Sequence, residues 1–434
     1  MKNFEKIYAL FALLYMARGV VPLVAGQGDQ TQVPQFDLLT FILQAAVFAI
    51  LAVLIFVHWQ SIIAGVRGSG WLFALCALAI LSAGWSAEPL FSFRRAIILL
   101  ATTMFGIFIA SRFDLDEQQG LFGWLAALSI IGSFMMAILF PQYGISNDIH
   151  AGDWKGLFPH KNALGQQMAF GILVLAIGRP KGLPKGILWC CLLGAGLLLL
   201  LSRSATSIAV VAAIAALYAT LHLLRLRRRK TLPLWLVFTP LISFAILAIA
   251  ASSQFFLSAL GRDSTLTGRT VIWSAVLDAI RERPLLGYGY AVFWRNGLQG
   301  DARDVLNAIH WTGLMQAQSG YLDLCLDLGS IGLVVFLGGL CAAGWRGLRL
   351  FRSGSTQAAK WPLVFLVFFL LYNFVESSLL QLYTFLWVPY VSTFVSLALL
   401  QTAEHPKYQF YEQGAAGAPN TGGPSEGDGL WVGA

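Results

Sequence analysis

The stretch 185–230, KGILWCCLLGAGLLLLLSRSATSIAVVAAIAALYATLHLLRLRRRK, decides the fold. It holds two apolar runs, 186–202 and 205–224, each close to the ~20 residues that cross a bilayer as a helix. Ser202-Arg203-Ser204 is the break between them, and Arg225-Leu226-Arg227-Arg228-Arg229-Lys230 follows the second. Dense base runs stay on the cytoplasmic side of a membrane. The stretch therefore reads as a membrane hairpin with its basic end inside and Arg203 at its outward tip.

Working outward, similar apolar runs lie at about 7–25, 38–57, 71–84, 95–110, 121–140, 163–178, 233–251, 319–343, 361–376 and 379–400. Together with the hairpin they predict about twelve transmembrane helices in an all-α polytopic membrane protein. Composition agrees: of 434 residues, 57% are hydrophobic and 12% charged. Soluble domains sit near ~45–50% apolar and ~25% charged. A secreted, fibrous or ordinary cytosolic protein is excluded. Lys2 and Lys6 precede the first run as in a signal peptide, but Arg18 interrupts it and no small-x-small cleavage site follows. A retained span is expected there. The cysteines, Cys76, Cys190, Cys191, Cys325 and Cys341, lie in or beside apolar runs and read as small buried hydrophobes.

Twelve spans put both termini on one side. Alternate connections hold Lys2, Lys6, Arg67, Arg112, Arg179, Lys181, Lys185, the 225–230 run, Arg346, Arg349, Arg352, Lys360 and Lys407, more than half of the 29 Lys+Arg. That set is cytoplasmic by its charge, so the net charge of +8 reports topology and not nucleic-acid binding. The opposite set contains one long connection, 252–318. Its bases are Arg262, Arg269, Arg281, Arg283, Arg295 and Arg303, set against Asp263, Asp278, Glu282, Asp301 and Asp304. All six are Arg, the side chain that grips phosphate and carboxylate bidentately.

Charge inside a membrane costs at least about 2.5–3.5 kcal/mol per group on insertion scales. Here it gathers outward. Arg94 and Arg95 open the fourth span, Arg203 tips the hairpin, Arg18 lies in the outer half of the first span, and Glu376 begins the last outer connection. Asp323 and Asp327 are four apart and share a helix face. Such a cluster suits an anionic headgroup at the outer leaflet.

Three motifs sit at the same level. In Gly156-Leu-Phe-Pro159-His160-Lys161-Asn162-Ala-Leu-Gly165, Pro159 stops any preceding helix and Asn162 can cap the next. Free N–H groups beside His160 and Lys161 would suit an anion. Gly261-Arg262-Asp263-Ser-Thr-Leu-Thr267-Gly268-Arg269-Thr270-Val-Ile-Trp273 opens the long loop, whose 270–281 run reads as an amphipathic helix before Pro284-Leu-Leu-Gly287-Tyr288-Gly289-Tyr290. Gln316-Ala-Gln318-Ser319-Gly320-Tyr321-Leu-Asp323, leading to Gly329-Ser-Ile-Gly332, joins the loop to the tenth span.

With Ser202-Arg203-Ser204 and Glu376-Ser377, these motifs resemble the O-antigen ligase and Wzy-type polysaccharide polymerase family, closest to its exopolysaccharide polymerase branch. The densest resemblance covers about 155–335. It implies a GT-C-like membrane glycosyltransferase in the bacterial inner membrane, with its active site facing the periplasm. The donor would be an undecaprenyl-pyrophosphate-linked oligosaccharide, transferred without a metal or other cofactor. The family's outward arginines hold the pyrophosphate, which implies that role for Arg203 and Arg269, and less directly for Arg94 and Arg95. His160, Lys161, Asn162, Asp263, Tyr321 and Glu376 would bind substrate. Polysaccharide export and chain-length control proteins are implied partners. The expected organisation is 1–251, nine transmembrane helices; 252–318, a periplasmic loop with short helices; 319–402, three further helices; and 403–434, a disordered cytoplasmic tail rich in Gly, Ala and Pro.

One departure matters. Where the family carries a histidine proposed to activate the acceptor, this chain has Gln318, whose amide takes up no proton near neutral pH. His310, or a carboxylate such as Asp263 or Asp304, would take the role, or Gln318 only positions the acceptor and a pyrophosphate leaving group makes a strong base unnecessary. No nucleophile is evident, so inversion at the anomeric carbon is expected. Asp114-Leu-Asp116-Glu117 looks like the metal motif of nucleotide-sugar glycosyltransferases but falls in a short cytoplasmic connection and reads as a solvated loop. A ligase using a lipid A core acceptor differs from a polymerase only in acceptor. A flippase would carry charge along the whole crossing path, and an inactive export scaffold is the remaining alternative.

Overall fold

The computed structural model describes residues 2–17, 38–147, 151–178, 180, 184–223, 230–252, 265–310, 313–353, 360–381 and 386–401. Arg18, Arg225, Arg227, Arg228, Arg229, Asp263 and the 403–434 tail lie outside the described residues. The helices are α1 (Lys2–Met16), α2 (Leu38–Val57), α3 (Trp59–Arg67), α4 (Gly70–Leu81), α5 (Pro89–Arg112), α6 (Leu115–Leu139), α7 (Lys161–Leu173), α8 (Lys185–Leu201) and α9 (Ala205–Leu223). They continue with α10 (Leu232–Ser252), α11 (Thr265–Glu282), α12 (Arg303–Ile309), α13 (Gly320–Ser353), α14 (Trp361–Val375) and α15 (Trp387–Leu399). No strand occurs among the described residues, only the isolated bridge Ile145–Trp154. The fold is all-α.

A helix occupies each of the twelve apolar runs. By length and composition, α5, α6, α9 and α13 can each cross a membrane alone, and α2 with α3 does so as a pair bent by 95°. Among the described residues several other apolar helices are shorter; α7, for instance, passes into a π-helical turn at Val174–Gly178. Such backbone is tolerated at membrane depth only where protein covers it.

Burial is inverted relative to a soluble protein. Phe56 is 80% exposed and Leu193 73%, while Thr103, Gln118, Ser129, Ser133 and Gln167 are buried. The buried polar groups tie helices together: Gln167 donates to Ser129 (3.1 Å), Trp387 to Thr103 (3.0 Å) and Gln118 to Ser396 (2.9 Å). Between helices in lipid, packing and hydrogen bonds replace the hydrophobic drive. With the family resemblance, this makes the chain a multi-pass membrane protein.

The contacts sort into two ends. At one end Glu5 of α1 meets Arg112 of α5 and His58, and Lys2 pairs with Glu117 of α6 (2.6 Å). There Asp114 caps α6 by accepting from the Glu117 N–H (2.8 Å), and Glu117 returns a contact to the Asp114 N–H (3.3 Å). The Asp114–Glu117 run is thus a capping box paired with lysines. At the other end the connections after α4, α6, α8, α11 and α14 converge.

The long loop has its own small core of Ile272, Val276, Tyr288, Phe293, Val305, Leu306, Leu314, Ala317 and Leu326. Tyr288 and Phe293 pack edge-on at 4.9 Å. Burial and the nearby Glu282 carboxylate push the Tyr288 phenol up. The Tyr290 hydroxyl donates to the Leu380 carbonyl. These loop aromatics fill local cores; Trp311 lies outside the described residues.

Gly329 breaks α13 with φ 65° and ψ −168°. The segment 284–289 docks into the break. Tyr288 N–H donates to Leu326 O (2.7 Å) and Gly289 N–H to Asp327 O (3.0 Å), while Ser330 N–H donates to Pro284 O (2.8 Å) and Ile331 N–H to Leu285 O (3.3 Å). The carbonyls ending one helix and the amides starting the next are satisfied by one inserted turn. A side chain at Gly329 would strike the Leu285 carbonyl and would need a left-handed φ.

Candidate functional site

The site forms where α7, α9, α11, the 316–319 segment and the end of α14 meet. His160 caps α7 with extended backbone, its Nδ1 accepting from Asn162 N–H at 3.2 Å. α7 lies close to α9 because Gly165 is bare; a Cβ there would stand 2.7 Å from Ser204 Cβ. Ser202-Arg203-Ser204 is the tight turn expected, with Arg203 left-handed at φ 48°. The next helix then places Thr206 one turn from Arg203.

Arg269 is the hub. Its Nη1 donates to Thr206 Oγ1 (3.2 Å), and its Nη2 to Glu376 Oε1 (2.8 Å) and Gln318 Oε1 (3.4 Å). Asn162 Nδ2 donates to the same Glu376 oxygen (3.0 Å). Arg269 and Glu376 side chains are only 17% and 9% exposed, so the pair acts where water screens little. Among the described residues Glu376 Oε2 accepts no hydrogen bond. Four elements far apart in sequence thus bring an arginine, a carboxylate and two amides to one point.

Gln318 is held there. Its backbone is left-handed, φ 56°, a strained state for a non-glycine residue. Both its neighbours in the chain are fixed. Asp323 accepts from the Ala317 N–H (2.9 Å), from Trp294 Nε1 (2.9 Å) and from the Ser377 hydroxyl, and Trp273 Nε1 donates to Ala317 O (3.1 Å). Asp323 therefore braces the segment carrying Gln318 against the one carrying Glu376. The Ser319 hydroxyl donates to Asn373 O at 3.5 Å.

A second pair adjoins the first. Lys161 is buried and bonds Asp153 at 2.7 Å, and Arg203, 58% exposed, reaches the other Asp153 oxygen at 3.5 Å. Arg203 thus presents its guanidinium outward, beside the Thr206–Arg269 contact. The arrangement supplies one half-exposed cation paired with Asp153, one braced cation and a carboxylate with one oxygen left over, a set able to hold a pyrophosphate and accept a proton.

Other sequence candidates lie elsewhere. Arg94 is exposed on α5; Arg95 stacks on Phe91 (4.9 Å), near Arg295 (3.7 Å from the same ring) and its partner Glu88 (2.6 Å). The Tyr321 hydroxyl bonds the Leu370 carbonyl (3.0 Å) and faces the bundle. His310 is the left-handed C-cap of α12, exposed, and Asp304 is exposed on that helix's first turn. Neither touches the Arg269 cluster. Thr206, Asp153 and the bracing role of Asp323 escaped the sequence reading. Thr206, one helical turn from Arg203, was the detectable one.

A family model described as O-antigen ligase matches residues 189–337. The exopolysaccharide production protein ExoQ of Rhizobium meliloti (strain 1021) is 30% identical over 256 residues, 56% of this chain. The match spans 57% of that relative's own length. The matched region contains Arg203, Arg269, Gln318 and the Gly329 break, while Asn162 and Glu376 come to the cluster from outside it. The motif resemblance and the match agree: segment 189–337 of this membrane protein is similar to the O-antigen ligase family.

Proposed function

We propose that the chain polymerises undecaprenyl-pyrophosphate-linked oligosaccharide repeats into exopolysaccharide at the periplasmic face of the inner membrane. The carrying observation is the convergence of Arg269, Glu376, Asn162 and Gln318, with the half-exposed Arg203 on the turn before the helix that carries Thr206. Arg203 and Arg269 bind the donor pyrophosphate and stabilise the charge that grows on it as it leaves. An acceptor hydroxyl, oriented by the Gln318 amide, attacks the anomeric carbon. The new C–O bond forms as the anomeric carbon–phosphate oxygen bond breaks. The hydroxyl proton passes to Glu376 Oε2, which fills the role of the absent histidine. Asn162 and Arg269 hold the other Glu376 oxygen, fixing the carboxylate for this task. Direct displacement inverts the anomeric centre.

The relative's name, exopolysaccharide production, favours polymerase over ligase; the two differ in acceptor. In nanodiscs, with lipid-linked repeats from the host, the wild type is expected to give a ladder of products that Arg269→Ala abolishes. Transfer seen only on adding a lipid A core acceptor would make it a ligase. No transfer to either acceptor would sink the catalytic reading.

A further inference from the structure

The end opposite the site carries a cavity of about 360 Å³ lined by Arg67, Gly68, Gly70, Trp71, Ala74 and Arg346. It lies among α3, α4, α13 and α15. The small residues make it: Gly68 lets α15 approach, since a Cβ there would stand 2.7 Å from Ala398 Cβ, and Gly70 opens onto free space. Two guanidiniums line one cavity with no acidic side chain among its lining residues. Neither Arg67 nor Arg346 has a hydrogen-bond or ion-pair partner among the described residues. Arg346 Nη1 is closed to solvent and still makes no hydrogen bond. Its guanidinium lies 5.5 Å from the Phe394 ring, which leaves its N–H groups unused.

A cation with a buried, unused donor is costly, and two like charges facing one space add repulsion. An anion bound between the two guanidiniums relieves that repulsion. The start of α4 contributes further: Ser69 spends its hydroxyl on Gly65 O, and no side chain caps the first turn beside Gly70 and Trp71. A helix start so exposed adds to the pull on an anion. The surroundings select the anion's source. Trp71 and Trp345 are 42% and 55% exposed on the same end, as aromatic anchors at a membrane interface are. Arg349 stacks on Trp345 at 5.1 Å.

We propose that this cavity binds the phosphate of an anionic phospholipid headgroup in the leaflet on the basic side. Arg346 and Arg67 clasp the phosphate, and the backbone N–H groups of Gly70 and Trp71 at the start of α4 donate to it. The site is separate from glycan transfer and ties α4 and α13 to the lipid beside them.

Native mass spectrometry of the full chain tests this, with phosphatidylglycerol against phosphatidylcholine. Phosphatidylglycerol should be retained preferentially, and Arg67→Gln with Arg346→Gln should cut that preference at least about tenfold. Lys2→Gln with Lys6→Gln, an equal charge loss at the same end, should leave it unchanged. Gly70→Asp places a carboxylate in the cavity at a helix start that favours one, and should also abolish the preference with both arginines intact. Equal retention of the two lipids, or wild-type preference in the arginine variant, overturns the proposal. Displacement by millimolar inorganic phosphate would overturn the lipid assignment in favour of a soluble phosphate.

Discussion

Two buried carboxylates, each gripped by an arginine, stand at opposite ends of this protein. Glu5 is fully buried and uses both oxygens: Arg112 Nε donates to Oε2 (2.9 Å), Arg112 Nη2 to Oε1 (3.1 Å), and His58 also meets Oε1 (3.0 Å). Glu376 uses one oxygen, while Arg269 divides its fork among Glu376, Gln318 and Thr206. The first is a closed staple joining α1, α5 and the α2–α3 bend. The second keeps acceptor capacity in hand and gathers neutral amides around it. The same residue pair makes a fastener where every group is satisfied and, on the proposed function, a reactive centre where one is left over.

Substitutions can break that contrast. The largest effect is expected from Arg269→Ala, which removes the pyrophosphate contact and releases Glu376. Polymer yield in the nanodisc assay should fall about 10³-fold, with the melting temperature changed far less than the rate. Glu376→Gln keeps the shape and the hydrogen bonds to Arg269 and Asn162 but cannot take a proton. A loss of about 10²-fold in turnover with donor binding retained is expected; full activity would remove Glu376 as base. At the other end, Glu5→Gln removes the carboxylate charge that Arg112 and His58 face and should cost about 3 kcal/mol of stability, read by thermal denaturation. Activity per folded molecule should hold, since the staple touches no substrate. The smallest and sharpest test is Gln318→His in the Glu376→Gln background. The imidazole should restore about tenfold of the rate. That rescue should appear as pH rises through ~6.5, because only the neutral ring accepts the proton.

The helices were legible in the sequence because each span is a local apolar run, and the two ends because bases gather on one of them. The Asp114–Glu117 cap was a short-range pattern that a metal motif imitates. The break at Gly329 was not legible: inside 319–343 the hydropathy is continuous, and only the backbone of 284–289, forty residues earlier, explains it. Arg203 and Glu376 stood out because charge is costly at that depth, and Arg269 through its motif in the long loop. Their arrangement did not, since Glu376 lies 107 residues from Arg269 and no periodicity links them. Tyr321 misled because an aromatic in a recurring motif suggests a ligand, whereas its hydroxyl secures α14.

The interrupted helix α13 has an evolutionary consequence. Both its pieces are bound through the main chain to the turn at 284–289, the upper at Leu326 and Asp327 and the lower at Ser330 and Ile331. Main-chain bonds do not depend on side-chain identity. On the proposed function, residues 265–328 are a cassette joined to the frame partly by bonds that tolerate side-chain change, so its acceptor-facing sequence is expected to be exchangeable. Chimeras joined at Gly329 should fold, and should carry acceptor preference with the cassette.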